Sequence, residues 1–164
     1  MSDHVQPLSE HVRREIDQNL EKFPPEQKRS AVLIALHAVQ HENKGHLNRE
    51  LLDAVARYLS LEPIKVYEVA SFYSMFETTR CGRNSISICT NISCMLRGAD
   101  DIVEYVEKKL GVKLGESTDD GRIYLKCEEE CLAACAGGPM MMVNHKYYEN
   151  LTPEKVDEIL DTLE

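Results

Sequence analysis

No long apolar run occurs in this chain. The longest in the amino-terminal half, Ala31 to Leu36, falls far short of the roughly 18 residues that a membrane-spanning helix requires. Direct membrane insertion is therefore not expected. The amino terminus is interrupted by Asp3, His4, Glu10, His11, Arg13, Arg14 and Glu15 and has no apolar central region, so no secretory signal is read there and the expected location is cytoplasmic. A basic stripe is also missing. Lys and Arg total 19 against 28 Asp and Glu, a formal charge of -9, which argues against nucleic-acid binding and fits a partner surface of positive charge. There is no Gly-x-Gly-x-x-Gly, no phosphate loop and no nucleophile elbow, so a nucleotide or flavin site is expected on another chain and no complete active site on this one. Cys-x2-Cys is absent as well, which excludes the plant-type ferredoxin loop and leaves a dithiol oxidoreductase unsupported. No internal repeat or low-complexity segment is found.

The 164 residues, 43% of them apolar, suffice for one full-sized domain or two small units. The first 76 residues contain no cysteine and read as a small helical bundle. Val12, Ile16 and Leu20 follow Ser9, a good N-cap, and Pro24-Pro25 ends that run. A second helix is predicted from near Glu26, apolar almost all round from Ala31 to Val39 and broken by Gly45. Asn48 caps a third helix carrying Leu51, Leu52, Val55 and Leu59. Pro63 opens a fourth, with Val66, Val69, Ala70 and Tyr73 as its inner stripe.

Residues 77–84 read as a linker, after which the periodicity changes. Ser85 to Thr90 alternates as a strand with Ser85, Ser87 and Cys89 on one side. One helix is predicted from Met95 to Leu110, ended by Gly111. An acidic loop, Glu116 to Gly121, leads to a strand over Arg122 to Cys127. A hairpin turns at Asn144-His145, and a last helix starts at Thr152-Pro153. The expected class is α+β: a helical bundle over 1–76, then a thioredoxin-like α/β domain over 85–164.

The chemistry is concentrated in cysteine. Six are present, and without export they read as thiols and metal ligands rather than as a disulfide framework. Four fall into two close pairs, Cys89-x4-Cys94 and Cys131-x3-Cys135, the grouping that an iron-sulfur cluster or a structural metal needs. Cys94 is expected to open a helix whose amide groups favour thiolate. Gly137-Gly138-Pro139 lets backbone approach the second pair closely. Cys127 competes for a ligand place, but it shares a strand face with Ile123 and Leu125 and is read as a small apolar filler. Cys81, between Arg80 and Arg83, is assigned a structural role in the linker. Zinc remains open on spacing alone.

Other features carry less. His37 and His41 have the i, i+4 spacing of a metal pair but lack the glutamate of zinc proteases, and are read as a helix-end pair. Among the aromatics, Tyr73 is expected in the core, while Phe72 and Phe76 are expected to meet either a partner or the second domain. Met140 to Met142 should fill space beneath the second cysteine loop. Glu128 to Glu130 reads as a solvated turn adding negative charge beside a ligand.

The segments Ile88-Cys89-Thr90-Asn91-Ile92-Ser93-Cys94 and Glu130-Cys131-Leu132-Ala133-Ala134-Cys135-Ala136-Gly137-Gly138-Pro139-Met140, preceded by Val66 to Phe76, resemble the E-subunit family of respiratory NADH:quinone oxidoreductase, complex I. Its members are thioredoxin-like 2Fe-2S ferredoxins with an amino-terminal helical extension, and the resemblance covers nearly the whole chain. It implies one 2Fe-2S cluster held by Cys89, Cys94, Cys131 and Cys135. It also implies docking on the flavoprotein subunit, where FMN and NADH are expected, and a location peripheral to the inner membrane through the complex. Ala133 stands where the family often has glycine. Related subunits of NAD-linked hydrogenases and formate dehydrogenases share the pattern, and a zinc-stabilised adaptor is the alternative from another class. Four thiolates around an iron-sulfur core would leave an already acidic chain more negative, so a low potential is expected.

Overall fold

The computed structural model describes residues 8–127 and 131–164. The chain divides into two compact units, Met1–Arg80 and Cys81–Glu164.

The first unit is helical. The Ser9 hydroxyl accepts a bond from the Val12 amide at 3.2 Å and starts α1 (Glu10–Leu20), which buries Val12 and Ile16. The next helix does not start at Glu26. The diproline is followed by a turn, Gln27 N to Pro24 O at 2.8 Å, and then by a 3-10 segment over Lys28–Ala31. Only at Val32 does α2 (Val32–Glu42) begin, with six of its eleven residues buried. Asn48 accepts from the Leu51 amide at 2.9 Å and caps α3 (Arg49–Leu59). Pro63 occupies the first turn of α4 (Pro63–Phe72), where its missing N–H costs nothing. Residues from all four helices share one apolar core.

Backbone geometry at the end of α4 corrects the aromatic assignments. Tyr73 turns extended, with ψ 123°, so the 3.6-residue stripe stops there. Tyr73 is left half-exposed and Phe72 is 80% exposed, while Phe76 enters the core and tilts against the His37 ring at 4.9 Å. The buried Gln40 amide fastens this segment. Its Nε2 donates to Met75 O at 3.0 Å and its Oε1 accepts from the Glu77 amide at 2.8 Å, so both ends of a buried amide are partnered.

The second unit is a five-stranded sheet with helices. In chain order it contains β1 (Asn84–Ile88), α5 (Ile92–Met95), α6 (Ala99–Leu110), β2 (Glu116–Ser117), β3 (Ile123–Leu125), β4 (Met141–Val143), β5 (Lys146–Tyr148) and α7 (Pro153–Asp161). The strands lie in the order β2-β3-β1-β4-β5. β1 runs parallel to β3 and antiparallel to β4. Ile86 pairs with Val143 and Ile88 with Met141, and these four share a core with Ile102 and Val106 of α6 and Val156 and Leu160 of α7. The opposite alternation puts Ser87 against Met142, toward a smaller cluster of Cys89, Cys94, Ala99, Leu132 and Met140. Asp157 joins α7 to α6, 2.6 Å from Lys109 Nζ and accepting from Tyr105 at 2.8 Å. Both contacts hold its carboxyl below the usual range.

Three sequence expectations change here. The helix over 95–110 is two pieces, because Gly98 adopts φ +89° and separates α5 from α6, a conformation that glycine takes without a steric cost. The acidic loop supplies an edge strand, β2, paired with β3 through Glu116 and Leu125. Cys127 is exposed beyond the end of β3 rather than buried, since the strand stops at Leu125 and its alternation no longer governs the next residues. The Asn144-His145 hairpin forms as read, both residues at positive φ. Glu128 to Glu130 lie outside the described residues. Among the described residues, no helix is long and apolar enough to cross a membrane.

Gly82 sets a test of this packing. A Cβ there would lie 2.5 Å from the Ile123 carbonyl carbon and 2.7 Å from the Tyr124 amide nitrogen, and backbone at the start of β3 cannot step aside as a side chain can. Gly82→Ala is expected to lower stability by about 1–3 kcal/mol, read as a shifted midpoint in denaturant unfolding.

Candidate metal centre

Strand β1 delivers the first thiol. The Cys89 amide donates to Met140 O at 3.1 Å, extending the β1–β4 ladder by one residue and fixing Cys89 beside the segment that enters β4. The chain then turns through Asn91, whose carbonyl accepts from the Cys94 and Met95 amides at 2.8 and 2.9 Å. This short turn buries Cys94 completely. The second pair is carried by turns rather than by regular structure. Cys131 and Cys135 are exposed, and Cys135 opens a 3-10 turn through Gly137. Ala133 sits at φ +60°, and from that left-handed conformation its amide donates to Cys131 Sγ at 3.4 Å. The position that suits glycine is thus held by a residue with a Cβ, at a cost of about 1–2 kcal/mol.

The four thiols form a linked set. Cys89 is hydrogen-bonded to the side chains of both Cys94 and Cys131, and Cys131 Sγ lies 3.9 Å from Cys135 Sγ. Cys127 Sγ instead lies next to Gly115, and Cys81 stands where the second unit begins. The environment separates the buried pair electrically. Burial opposes ionisation of Cys89, yet the amides of Leu132 and Asn91 and the thiols of Cys94 and Cys131 outweigh it, leaving Cys89 below an ordinary thiol. Burial and the adjoining Cys89 push Cys94 up to about 11, against the pull of the Met140 amide. The bond to Cys131 raises Cys135. The expectation that a helix start favours the Cys94 thiolate is therefore overturned. α5 has four residues, Cys94 is its third, and burial dominates.

Whether this pocket fits an iron-sulfur group can be judged from Gly138. A Cβ on Gly138 would lie 3.0 Å from Cys94 Sγ and 3.4 Å from Cys94 Cα, so glycine keeps the wall of the pocket open at the deepest thiol. Four soft donors, backbone amides aimed at Cys89, Cys94 and Cys131 and apolar walls from Leu132 and Met140 suit such a group. Among the described residues, no group of three or more His, Cys, Asp or Glu side chains is arranged to hold a single metal ion. His37 approaches Met75 Sδ at 3.1 Å and tilts against Phe76, but it stands in the middle of α2 rather than at a helix end. Met140 fills the space beneath the thiols and Met142 packs against it, while Met141 belongs to the sheet core.

Comparison with known proteins fits this geometry. Residues 16–164 match the family model described as thioredoxin-like [2Fe-2S] ferredoxin. The chain belongs to that family. The E subunit of NADH-quinone oxidoreductase from Rickettsia conorii is 46% identical over 145 residues, covering 88% of this chain and 86% of the relative. NADH dehydrogenase [ubiquinone] flavoprotein 2, mitochondrial, of Dictyostelium discoideum is 38% identical over 148 residues, 90% of this chain and 60% of that protein. Among solved structures, an NAD+-reducing [NiFe]-hydrogenase in the air-oxidized state aligns with TM-score 0.65 over 77% of this chain and 22% of that one. Its identity of 20% makes this a likeness of fold. Family membership supports an iron-sulfur cluster in this ferredoxin.

Sequence reasoning missed the amide donors at Asn91 and Leu132 and missed Arg97. The side chain of Arg97 donates to Ala136 O at 2.7 Å. Its only signal in the sequence is a cation three residues after a candidate ligand. Gly138→Ala tests the fit of the pocket: the added methyl must displace the Cys94 sulfur, so iron content per folded chain should drop severalfold while far-ultraviolet circular dichroism stays unchanged.

Proposed function

We propose that this chain is the electron-transfer subunit of an NADH:quinone oxidoreductase, complex I. It would hold one 2Fe-2S cluster on Cys89, Cys94, Cys131 and Cys135, next to the flavin of the NADH-oxidising subunit. The observation that carries the reading is the linked set of four thiols in a chain whose relatives at 40–46% identity are E subunits of that enzyme. When bound, the cluster supplies one-electron acceptance and return. The protein supplies the rest. Cys89 is held below an ordinary thiol before loading and Cys94 above it, and Cys94 must release a proton on ligation, so loading is coupled to proton release. Amides directed at Cys89 and Cys131 favour added negative charge, whereas the formal charge of -9 opposes it and keeps the potential low. FMN and NADH belong to the partner in this reading, and membrane attachment is peripheral, through the complex. The hydrogenase likeness is one of fold, and the names of the curated relatives favour complex I.

Docking on the flavoprotein subunit is supported by large apolar side chains left open in each unit. Phe72 is 80% exposed in the first, and Leu96, 78% exposed, sits beside Ile92 and Met95 next to the buried thiol pair in the second. Protein purified anaerobically should contain about two irons and two sulfides, be silent in electron paramagnetic resonance when oxidised, and give a spin-one-half signal on reduction. Alanine at Cys89, Cys94, Cys131 or Cys135 should each strip the cluster, whereas Cys81→Ala and Cys127→Ala should keep it. Stoichiometric zinc without sulfide would move the reading to a structural adaptor.

The docking surface has its own test. Phe72→Ser and Leu96→Ser should each weaken binding to the flavoprotein subunit by about tenfold or more, the effect of losing roughly 1.5–3 kcal/mol of apolar burial, with cluster content unchanged. Co-purification at wild-type yield would refute the assigned surface.

A further inference from the structure

Arg97 lies just past α5, three residues after Cys94, and its amide donates to Cys94 O at 3.0 Å. Its side chain reaches across to the other cysteine loop. Nη1 donates to Ala136 O at 2.7 Å and reaches Gly138 O at 3.5 Å, carbonyls that lie one and three residues beyond Cys135. Arg97 Cδ and Cys94 Sγ both lie within 3.5 Å of the same point, the position that a Cβ on Gly138 would take. A fixed positive charge is therefore strapped between the loop of Cys89 and Cys94 and the loop of Cys131 and Cys135. The strap joins segments 39 residues apart, and it acts beside the Cys89–Met140 backbone bond and the bonds from the Asn150 and Leu151 amides to Gly137 O and Pro139 O at 2.6 and 2.9 Å.

We infer that Arg97 is a positioning residue for the cluster, holding the Cys135 turn against the Cys94 turn and, by its charge, raising the potential at which the cluster accepts an electron. Two properties suit it to this task. The guanidinium is planar and cationic, and one terminal nitrogen has two hydrogens for two carbonyls. A cation beside a group that gains negative charge on reduction stabilises the reduced form, an effect that solvent around the exposed Arg97 side chain moderates without abolishing. In a chain of charge -9 it opposes the general field locally.

The inference rests on the cluster assignment above, and the experiment separates the two. Wild-type, Arg97→Gln and Arg97→Lys proteins are compared by redox titration followed in electron paramagnetic resonance, by iron release to a chelator, and by hydrogen exchange at the Gly137 amide in the apo chains. That amide closes the turn on Ala134 O at 3.0 Å. Arg97→Gln should make reduction about tenfold less favourable, a drop of about 59 mV for one electron. It should also release iron about tenfold faster, as expected for losing one charge-assisted hydrogen bond, and exchange Gly137 faster. Arg97→Lys should restore the potential and leave release and exchange between the other two. If Arg97→Gln retains no cluster, faster exchange in its apo chain still supports the strap. Wild-type potential, release and exchange in Arg97→Gln would overturn this inference alone, while a wild-type chain that binds no iron would overturn the functional reading and this inference with it.

Discussion

The backbone bond from the Cys89 amide to the Met140 carbonyl is the constraint on which the rest of the site depends. It continues the register Ile86–Val143, Ser87–Met142, Ile88–Met141 one step past the strand, so the position of the first thiol is measured from the sheet itself. Because Met140 follows Cys135 by five residues, the same bond brings the second loop to the first. Central placement of β1 between β3 and β4 makes that anchor rigid. Without it the two loops would be separate excursions, and neither the Cys89–Cys131 contact nor the reach of Arg97 would exist.

How much of this could be read beforehand follows from range. Features fixed by neighbours in sequence were legible: the Ser9, Asn48 and Thr152 caps, Pro63 and Pro153 at helix starts, the Asn144-His145 turn, and the two cysteine pairs. Features fixed by a backbone decision at one residue were not. Gly98 divides a run that keeps its helical periodicity, Tyr73 leaves the helix one residue before the stripe says it should, and the 3-10 turn postpones α2 to Val32. In the site, the identity of the four candidate residues was available from spacing and resemblance. Their electrical inequality was not, because it comes from burial and from amides of Asn91, Leu132 and Met140, which sequence cannot aim. Cys127 shows the limit of alternation, since a period of two is informative only while the strand lasts.

The same opposition of burial and hydrogen bonding recurs across the second unit. Where a donor reaches a buried sulfur, as at Cys89, the charged form is favoured. Where burial prevails, as at Cys94, or a neighbouring sulfur competes for the proton, as at Cys135, it is disfavoured. Asp157 shows the simpler case at the surface, where Lys109 and Tyr105 both favour the carboxylate. The chemistry of the pocket is thus set less by residue type, which is cysteine throughout, than by which backbone groups the fold leaves pointing inward.

One asymmetry of the pocket has a mechanical meaning. Cys89 and Cys94 are buried and tied to a sheet ladder and a helical turn, whereas Cys131 and Cys135 are exposed and tied to turns. The site therefore resembles a vice with one jaw sunk into the frame and the other standing open to solvent. Water and any oxidant reach the pocket from the exposed side, and so does whatever must be inserted into it.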